Sequence, residues 1–212
     1  MRDAEGRYPE IRISQTRTRA FEVGAVTRYA HARTSAYVRS EFTRGIDALG
    51  ARAFDISGAP ADLSFSKVAV DAGVVRTLGT RWRVRVDAEG QWSDANLPAG
   101  ERFAFGGATF GRAFDAAELI GDKGGALGVQ LEHIQRWKHL WLQQSSLYVQ
   151  SDYGYASDRV YGSDDAASLT AGMKAWLPSA MARLELSTPV MRAQSDEPTS
   201  DVRAFAEIQF SF

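Results

Sequence analysis

The sequence predicts an all-β protein, specifically an antiparallel transmembrane β-barrel. Residues 80–92, TRWRVRVDAEGQW, alternate without a break between an apolar face and a charged face. Strands of soluble proteins usually run for about 5–6 residues, whereas a strand that crosses a membrane needs about 9–11. The length of this alternation and the charge on its polar face favour a barrel wall, apolar toward lipid and polar toward a wet lumen. No segment shows a helical period.

Four long strands are predicted before residue 101, and turn residues separate them. The second and third are divided by Gly58-Ala59-Pro60, and the third and fourth by the region around Leu78-Gly79. The tail of a possible fifth strand lies in Tyr8–Ser14. The four strands are predicted near 17–30, 33–45, 62–76 and 80–92.

Five further strands are predicted after a Gly-rich segment that follows Leu97-Pro98-Ala99-Gly100. They are separated by turn signals at Gly162–Asp165, Leu177-Pro178-Ser179 and Glu197-Pro198. Short turns that alternate with longer loops are typical of a transmembrane barrel, as are tryptophans near the strand ends. The five strands are predicted near 124–135, 140–154, 165–176, 179–189 and 202–212.

The composition excludes several classes of function. The net charge is −1, so no basic surface indicates nucleic-acid binding, and the chain has no cysteine for a disulfide, a thiolate metal site or a nucleophile. His133 and His139 lack the HExxH spacing of a zinc site, and no serine stands in a G-x-S-x-G context. The start of the chain lacks the apolar region of a signal peptide. We therefore predict no catalytic residue, no metal, no cofactor and no enzymatic activity.

Residues 101–132 and the next strand carry an ordered set of short motifs. Gly106-Gly107 is followed by Gly111-Arg112-Ala113-Phe114, by the step Gly121-Asp122-Lys123-Gly124, and by Glu132 within a strand. One strand later stands Gln150-Ser151-Asp152-Tyr153-Gly154. Together these motifs resemble the ShlB/FhaC/HecB family of haemolysin secretion/activation proteins, the outer-membrane transporters of two-partner secretion. The chain departs from the family pattern at three positions, Gly111, Ala113 and Gln150.

The resemblance implies a 16-stranded barrel that follows a signal peptide, a plug helix and two POTRA domains. Residues 1–212 would then be a partial C-terminal barrel domain of nine or ten strands, with those preceding parts absent. The implied function is secretion or activation of a large exoprotein, of haemolysin or adhesin type, through the outer membrane of a Gram-negative cell. The implied partners are that exoprotein, outer-membrane lipid and the barrel-assembly machinery, which reads the terminal strand through Phe210 and Phe212. No nucleic acid is implied.

The resemblance also places a site in the lumen, where the Gly-rich loop folds back into the barrel. A guanidinium buried there needs a partner, and a carboxylate accepts its two-pronged hydrogen bond well. Strand parity turns Asp152 and Glu132 toward the lumen, so we expect Arg112 to pair with Asp152, with Glu132 nearby, and Gly154 to leave room for the loop backbone. The expected loop and lumen residues are Arg112, Phe114, Asp152, Glu132, Gly106, Gly107, Gly124 and Gly154.

Three other readings stay open on the sequence alone. One is a related barrel that assembles other outer-membrane proteins, another is a soluble β-sandwich or lipocalin-like binding protein, and the third is an outer-membrane esterase. Nine or ten strands cannot close the parent barrel and would leave two unpaired edges. We therefore expect that the 212 residues do not transport by themselves.

Overall fold

A computed structural model of the chain describes residues 14–55, 60–137, 139–159, 162–192 and 202–210. The regular secondary structure of these residues is β-strand, apart from one 3₁₀ turn at Ala99–Glu101, and no helix among them is long and apolar enough to cross a membrane. In chain order the strands are β1 (Ser14–Arg17), β2 (Ala20–His31), β3 (Thr34–Gly45), β4 (Arg52–Asp55), β5 (Ser66–Leu78), β6 (Trp82–Ser93), β7 (Phe103–Phe105), β8 (Leu119–Gly121), β9 (Lys123–Arg136), β10 (Gln144–Asp158), β11 (Gly162–Trp176), β12 (Ala180–Arg192) and β13 (Arg203–Phe210).

Nine of these strands form one antiparallel sheet. Their spatial order is β13-β12-β11-β10-β9-β6-β5-β3-β2, so each long strand pairs with the next long strand along the chain. This is the up-and-down order of a barrel wall, and it confirms the predicted fold class. Two small two-stranded sheets, β1 with β4 and β7 with β8, lie outside it.

All nine predicted strands are present, but several of their ends differ from the prediction. β5 begins at Ser66 and not at residue 62, and β10 and β12 end at Asp158 and Arg192, beyond the predicted 154 and 189. The strand predicted from residue 17 is interrupted at Thr18 and Arg19, and the strand predicted from residue 140 begins at Gln144 because 137–143 forms the connection. The strand predicted from residue 165 begins earlier, at Gly162. Of the possible strand Tyr8–Ser14, only Ser14 is described, as the first residue of β1.

The two faces of the sheet differ in chemistry, as the alternation predicts. On β10, the side chains of Leu147 and Val149 are 63% and 51% exposed on the outer face, while Asp152 is 0% exposed on the other. On β9, Leu127 and Leu131 are also exposed on the outer face, and Glu132 is buried on the opposite one. An apolar face turned outward is stable only in contact with lipid or another apolar surface. We call the opposite, polar face the lumen face.

Exposed aromatic side chains mark both ends of the outer face. Trp82 and Tyr29 lie at one end of the sheet, where Trp82 packs edge-on against His133 with 4.7 Å between ring centroids. Phe21 and Trp92 lie at the opposite end. Two aromatic belts with an aliphatic band between them are the arrangement of a transmembrane barrel.

The connections at the two ends of the sheet differ in length. At the short-turn end the connections are 32–33, 79–81, 137–143 and 177–179. At the opposite, long-loop end the connections include 46–65 and 94–122. The second of these carries the predicted Gly-rich loop.

The sheet is open across the described residues. Strands β2 and β13 form its two edges, and all 12 residues of β2 are exposed on both faces. The lumen face is therefore the inside of an incomplete barrel. Among the residues predicted to signal to the assembly machinery, Phe210 is 63% exposed on the outer face, and Phe212 lies outside the described residues.

Candidate functional site

The connection 94–122, which we call the lumen loop, folds back over the lumen face. It pairs with itself through β7 and β8, and its aromatic side chains are buried against the wall. The wall contributes small side chains from three neighbouring strands, Ala126, Ala156 and Ala166. The resulting core consists of Phe103, Phe105, Phe110, Ala113, Phe114, Leu119, Ala126, Ala156 and Ala166.

Glycines in the wall provide the space for the loop aromatics. A Cβ at Gly154 would collide with the ring of Phe105, and one at Gly124 would collide with the ring of Phe103. A Cβ at Gly128 would lie 3.2 Å from Cε1 of Phe110. We call Gly124, Gly128 and Gly154 the glycine sockets. The expectation for Gly154 is corrected in one respect, because the group that fills its space is the Phe105 ring and not the loop backbone.

The tip of the lumen loop is shaped by three glycines in the left-handed region. Gly106, Gly107 and Gly111 have φ values of 112°, 103° and 67°, a region that side chains with a Cβ rarely adopt. At Gly106 a Cβ would also collide with the carbonyl oxygen of Asp115. The backbone N–H of Phe114 donates to the oxygen of Gly111 at 2.9 Å and closes the turn. This turn points the N–H of Gly111 at the wall.

Asp152 binds that N–H group. Its carboxylate accepts hydrogen bonds from the backbone nitrogen of Gly111 at 3.1 Å and from Nε2 of Gln150 at 2.8 Å, and the side chain is fully buried. Bonds from a neutral donor to a carboxylate are stronger than neutral pairs. Gln150, one of the departures from the family pattern, thus supports the acceptor from its own strand. Asp152 therefore binds the loop as predicted, but its partner is the loop backbone and not the side chain of Arg112.

The predicted ion pair between Arg112 and Asp152 is wrong. Nη1 of Arg112 donates instead to the carboxylate of Glu185 on β12, and the two side chains are 17% and 2% exposed. Asp152 lies directly below Gly111, so its carboxylate binds the backbone N–H of that residue. The side chain of Arg112 is longer and extends along the sheet to β12. Sequence parity shows which residues face the lumen but does not show how far a loop side chain reaches.

Glu185 is held by further groups of the wall. The hydroxyl of Tyr148 donates to Glu185 across β11, where Gly172 leaves space for the tyrosine ring. Nη1 of Arg183 lies 3.5 Å from Glu185 Oε1. Glu185 was missed in the sequence, although it lies on a predicted strand and shares its lumen face with Arg183. The alternating pattern of its strand shows that Glu185 faces the lumen, but the sequence does not give the distance between the loop and this strand.

Glu132 belongs to a separate cluster that joins strands of the wall. Its carboxylate accepts from Nη1 of Arg83 at 3.1 Å and from the hydroxyl of Ser146 at 2.6 Å, and it lies 3.7 Å from Nζ of Lys174. The expectation that Glu132 helps to lock the loop is corrected, since its contacts are with β6, β10 and β11. Lys174 lies 4.5 Å from the centre of the Tyr148 ring and thereby connects this cluster to Glu185.

The returning part of the loop is tied to the last two strands. Asp115 pairs with Arg203 at 2.9 Å and Glu118 pairs with Arg192, whose guanidinium lies 5.9 Å from the Phe114 ring. The hydrogen bond and charge of Arg203 hold the pKa of the exposed Asp115 carboxyl below its usual value. The predicted residue Phe114 is buried between this ion-paired rim and the ring of Phe105, 6.0 Å away between centroids.

The beginning of the loop is anchored by three further contacts. Arg102 pairs with Asp158 of β10 at 2.9 Å, and Lys67 of β5 pairs with Glu101 at 2.7 Å. The backbone N–H of Leu97 donates to the buried carboxylate of Asp122 at 2.8 Å. The loop is thus held at its base, along its aromatic side, at its tip and at its returning strand.

A profile of the haemolysin secretion/activation proteins ShlB/FhaC/HecB matches residues 8–175, most of the chain. The chain belongs to the ShlB/FhaC/HecB family. This confirms the resemblance of its motifs, and it places the chain in a family of secretion proteins and not in a class of enzymes. No curated protein matches the sequence.

The fold of this ShlB/FhaC/HecB member is similar to that of CdiB from Escherichia coli. The TM-score is 0.78 at 20% sequence identity, and the match covers 93% of this chain and 37% of CdiB. The chain therefore spans little more than a third of the solved relative. Within the described part of the chain, no group of three or more His, Asp or Glu side chains is placed to hold a metal ion.

Proposed function

We propose that the chain is part of an outer-membrane transporter of two-partner secretion, which moves a large exoprotein through a β-barrel pore. The observation that carries the proposal is the lumen loop, seated on the polar face of a sheet whose other face is apolar. A loop with four aromatic rings and paired charges in its core closes part of the lumen in one defined position. The membership of the chain in a family of secretion proteins supports the same function.

The chemistry of the two faces indicates the surroundings of the protein. The aliphatic band between aromatic belts suits lipid of the outer membrane, and a lumen lined by charged and amide groups suits an extended polypeptide in water. In barrels of this type the short turns face the periplasm and the longer loops face outward. The lumen loop would then enter the barrel from the outside, and β13 would end at the periplasmic end.

The partners follow from the same proposal. The exoprotein is of haemolysin or adhesin type, and the exposed outer face of β13, including Phe210, is presented to the barrel-assembly machinery. The 212 residues form the C-terminal part of the barrel, and the open edges β2 and β13 pair with strands that these residues do not supply. Closure is required because lipid does not accommodate unpaired strand edges.

The experiment that tests the proposal is an in-frame deletion of the gene in its own host. We expect one large protein to disappear from the culture medium and to return when the gene is supplied again. Amounts of other outer-membrane proteins serve as the internal control. A broad fall in those proteins would instead assign the chain to outer-membrane protein assembly. An unchanged medium and an unchanged membrane would contradict the proposal.

A further inference from the structure

Two neighbouring cavities lie between the lumen loop and the wall. The first, of about 430 Å³, lies between the base of the loop and strands β3, β5 and β6, and Arg39, Glu89 and Arg102 line it. The second, of about 280 Å³, lies at the loop tip, where Tyr37 and Arg85 line it from β3 and β6 and residues of β9 to β12 line its other side. Asp71 lines both cavities, so they are neighbours along the wall, and we call the two together the groove.

The opposite side of the loop packs closely over β10 and β11, and a smaller cavity of about 280 Å³ lies beside β12 and β13. Asp152, Ser168 and Thr170 face the lumen on β10 and β11, and each is 0% exposed beneath the loop. On the groove side, in contrast, the side chain of Arg85 is 52% exposed and that of Asp87 is 22% exposed. Within the described residues, the loop therefore packs most closely over β9–β11 and leaves space beside the lumen face of β3, β5 and β6.

Charges of both signs line the groove, although Asp71 and Glu89 are cross-strand neighbours of like sign. Arg85 binds Asp87 through two hydrogen bonds, one of them 3.0 Å long, and the hydroxyl of Tyr37 lies 3.5 Å from Asp71. A wall with closely spaced opposite charges produces little net field along its length, so it neither repels nor traps a chain of one sign. It offers donors and acceptors at short intervals, which suits a polar polypeptide of low net charge.

The length of the groove suits an extended segment. Along β6 its wall runs from Arg85 to Gln91, and a strand rises about 3.3 Å per residue, so the groove is roughly 20 Å long. An extended peptide of about six residues covers that length. A helix with the same number of residues would be only about 9 Å long.

We propose that a segment of the exported polypeptide, extended and of low net charge, binds in this groove, between the lumen loop and the wall of β3, β5 and β6. This inference rests on the proposed transport function and names the side of the lumen that the polypeptide uses. The loop then remains on its seat on β9–β12 while the first segment passes. Asp71 and Glu89 contact the polypeptide, and Ser168 does not.

The absence of cysteine from the chain makes this testable with single thiols. The variants Asp71→Cys and Glu89→Cys place a thiol in the groove, and Ser168→Cys places one beneath the loop. Val68→Cys is the matched control, since Val68 lies on the same strand as Asp71 but is exposed on the outer face. Each variant of the full gene product is expressed in its host together with the protein that the deletion removes from the medium. That protein carries a folded domain that stalls it in the pore.

A bifunctional thiol-to-amine crosslinker then reports which positions touch the stalled chain. We expect crosslinks from Asp71→Cys and Glu89→Cys, and none from Ser168→Cys or Val68→Cys. Crosslinks from Ser168→Cys, or none from the two groove positions while secretion of the unstalled protein is normal, would overturn the inference. If no protein depends on the gene for its secretion, the proposed function itself fails, and this outcome is seen before any crosslink is measured.

Discussion

Replacing Arg112 with methionine tests how the lumen loop is held. The substitution keeps an unbranched side chain about as long as the aliphatic part of arginine and removes the guanidinium that Glu185 faces. Glu185 retains the hydroxyl of Tyr148 and the guanidinium of Arg183, 3.5 Å away. The loss is therefore closer to one charge-assisted hydrogen bond, about 1.5–3 kcal/mol, than to the roughly 3–5 kcal/mol of an entirely unpaired buried charge.

The rate at which a thiol beneath the loop is labelled reports this free energy. Ser168→Cys is reached by a water-soluble maleimide only while the loop is away from the wall, because Ser168 is 0% exposed. Each 1.36 kcal/mol changes an equilibrium tenfold, so Arg112→Met should speed labelling roughly 10- to 160-fold. Glu185→Gln should have an effect in the same direction. The double variant should fall short of the sum of the two, since both act on one contact.

The matched control is Arg203→Met, the same substitution at the rim. Its partner Asp115 has an 80% exposed side chain, and exposed ion pairs contribute little, so the labelling rate should stay near that of the parent. All variants must first show the heat-dependent shift in gel mobility of a folded barrel. Unchanged labelling in both Arg112→Met and Glu185→Gln would refute the argument and would mean that the aromatic rings and the Asp152 bond hold the loop.

Three more predictions follow from the geometry. Gly154→Val should displace the ring of Phe105, whose burial contributes about 1.5–3 kcal/mol, and should raise the rate of labelling beneath the loop. Gly90→Val should leave that rate unchanged, because the nearest atom to the new Cβ is 3.8 Å away. Val149→Arg on the outer face should lower the amount of folded protein in membranes, since arginine at the midplane of a barrel costs about 2–4 kcal/mol; normal amounts would argue against contact with lipid. The pKa of Asp115 lies below its ordinary value of 3.8, so its ion pair with Arg203 is fully formed above that value and is lost as the pH falls through the lowered pKa. Hydrogen exchange of residues 112–118 should therefore show no step at neutral or mildly acidic pH and should rise in strong acid.

The strands could be predicted from the sequence because one face of the sheet is apolar and the other is polar. That contrast determines the side-chain type at every second residue, and it placed Leu147, Val149, Glu132 and Asp152 on their observed faces. Strand ends were less certain where a connection contains residues that also suit a strand. Residues 137–143, with Trp137 and Trp141, were partly assigned to β10 for this reason.

The contacts of the loop could be predicted only in part. Gly106, Gly107 and Phe114 were expected to belong to the loop, and the structure adds that the two glycines have positive φ and that Phe114 is buried. The partner of Arg112 depends on where the loop crosses the sheet, which no local pattern encodes. The fit of Phe105 over Gly154 was also missed, because a glycine in a strand shows that space is needed but not which group fills it.

The contacts of the lumen loop span long stretches of the chain. Gly111 and Asp152 are separated by 41 positions, Arg112 and Glu185 by 73, and Asp115 and Arg203 by 88. Contacts between such distant positions form only after the intervening chain has been ordered. The loop can therefore take its seat only when β10, β12 and β13 are already aligned in their final register. A shift of one strand by one residue would move Asp152 or Glu185 to the apolar outer face. The loop can therefore seat only on a correctly registered sheet, and on a misregistered sheet the lumen face would stay uncovered.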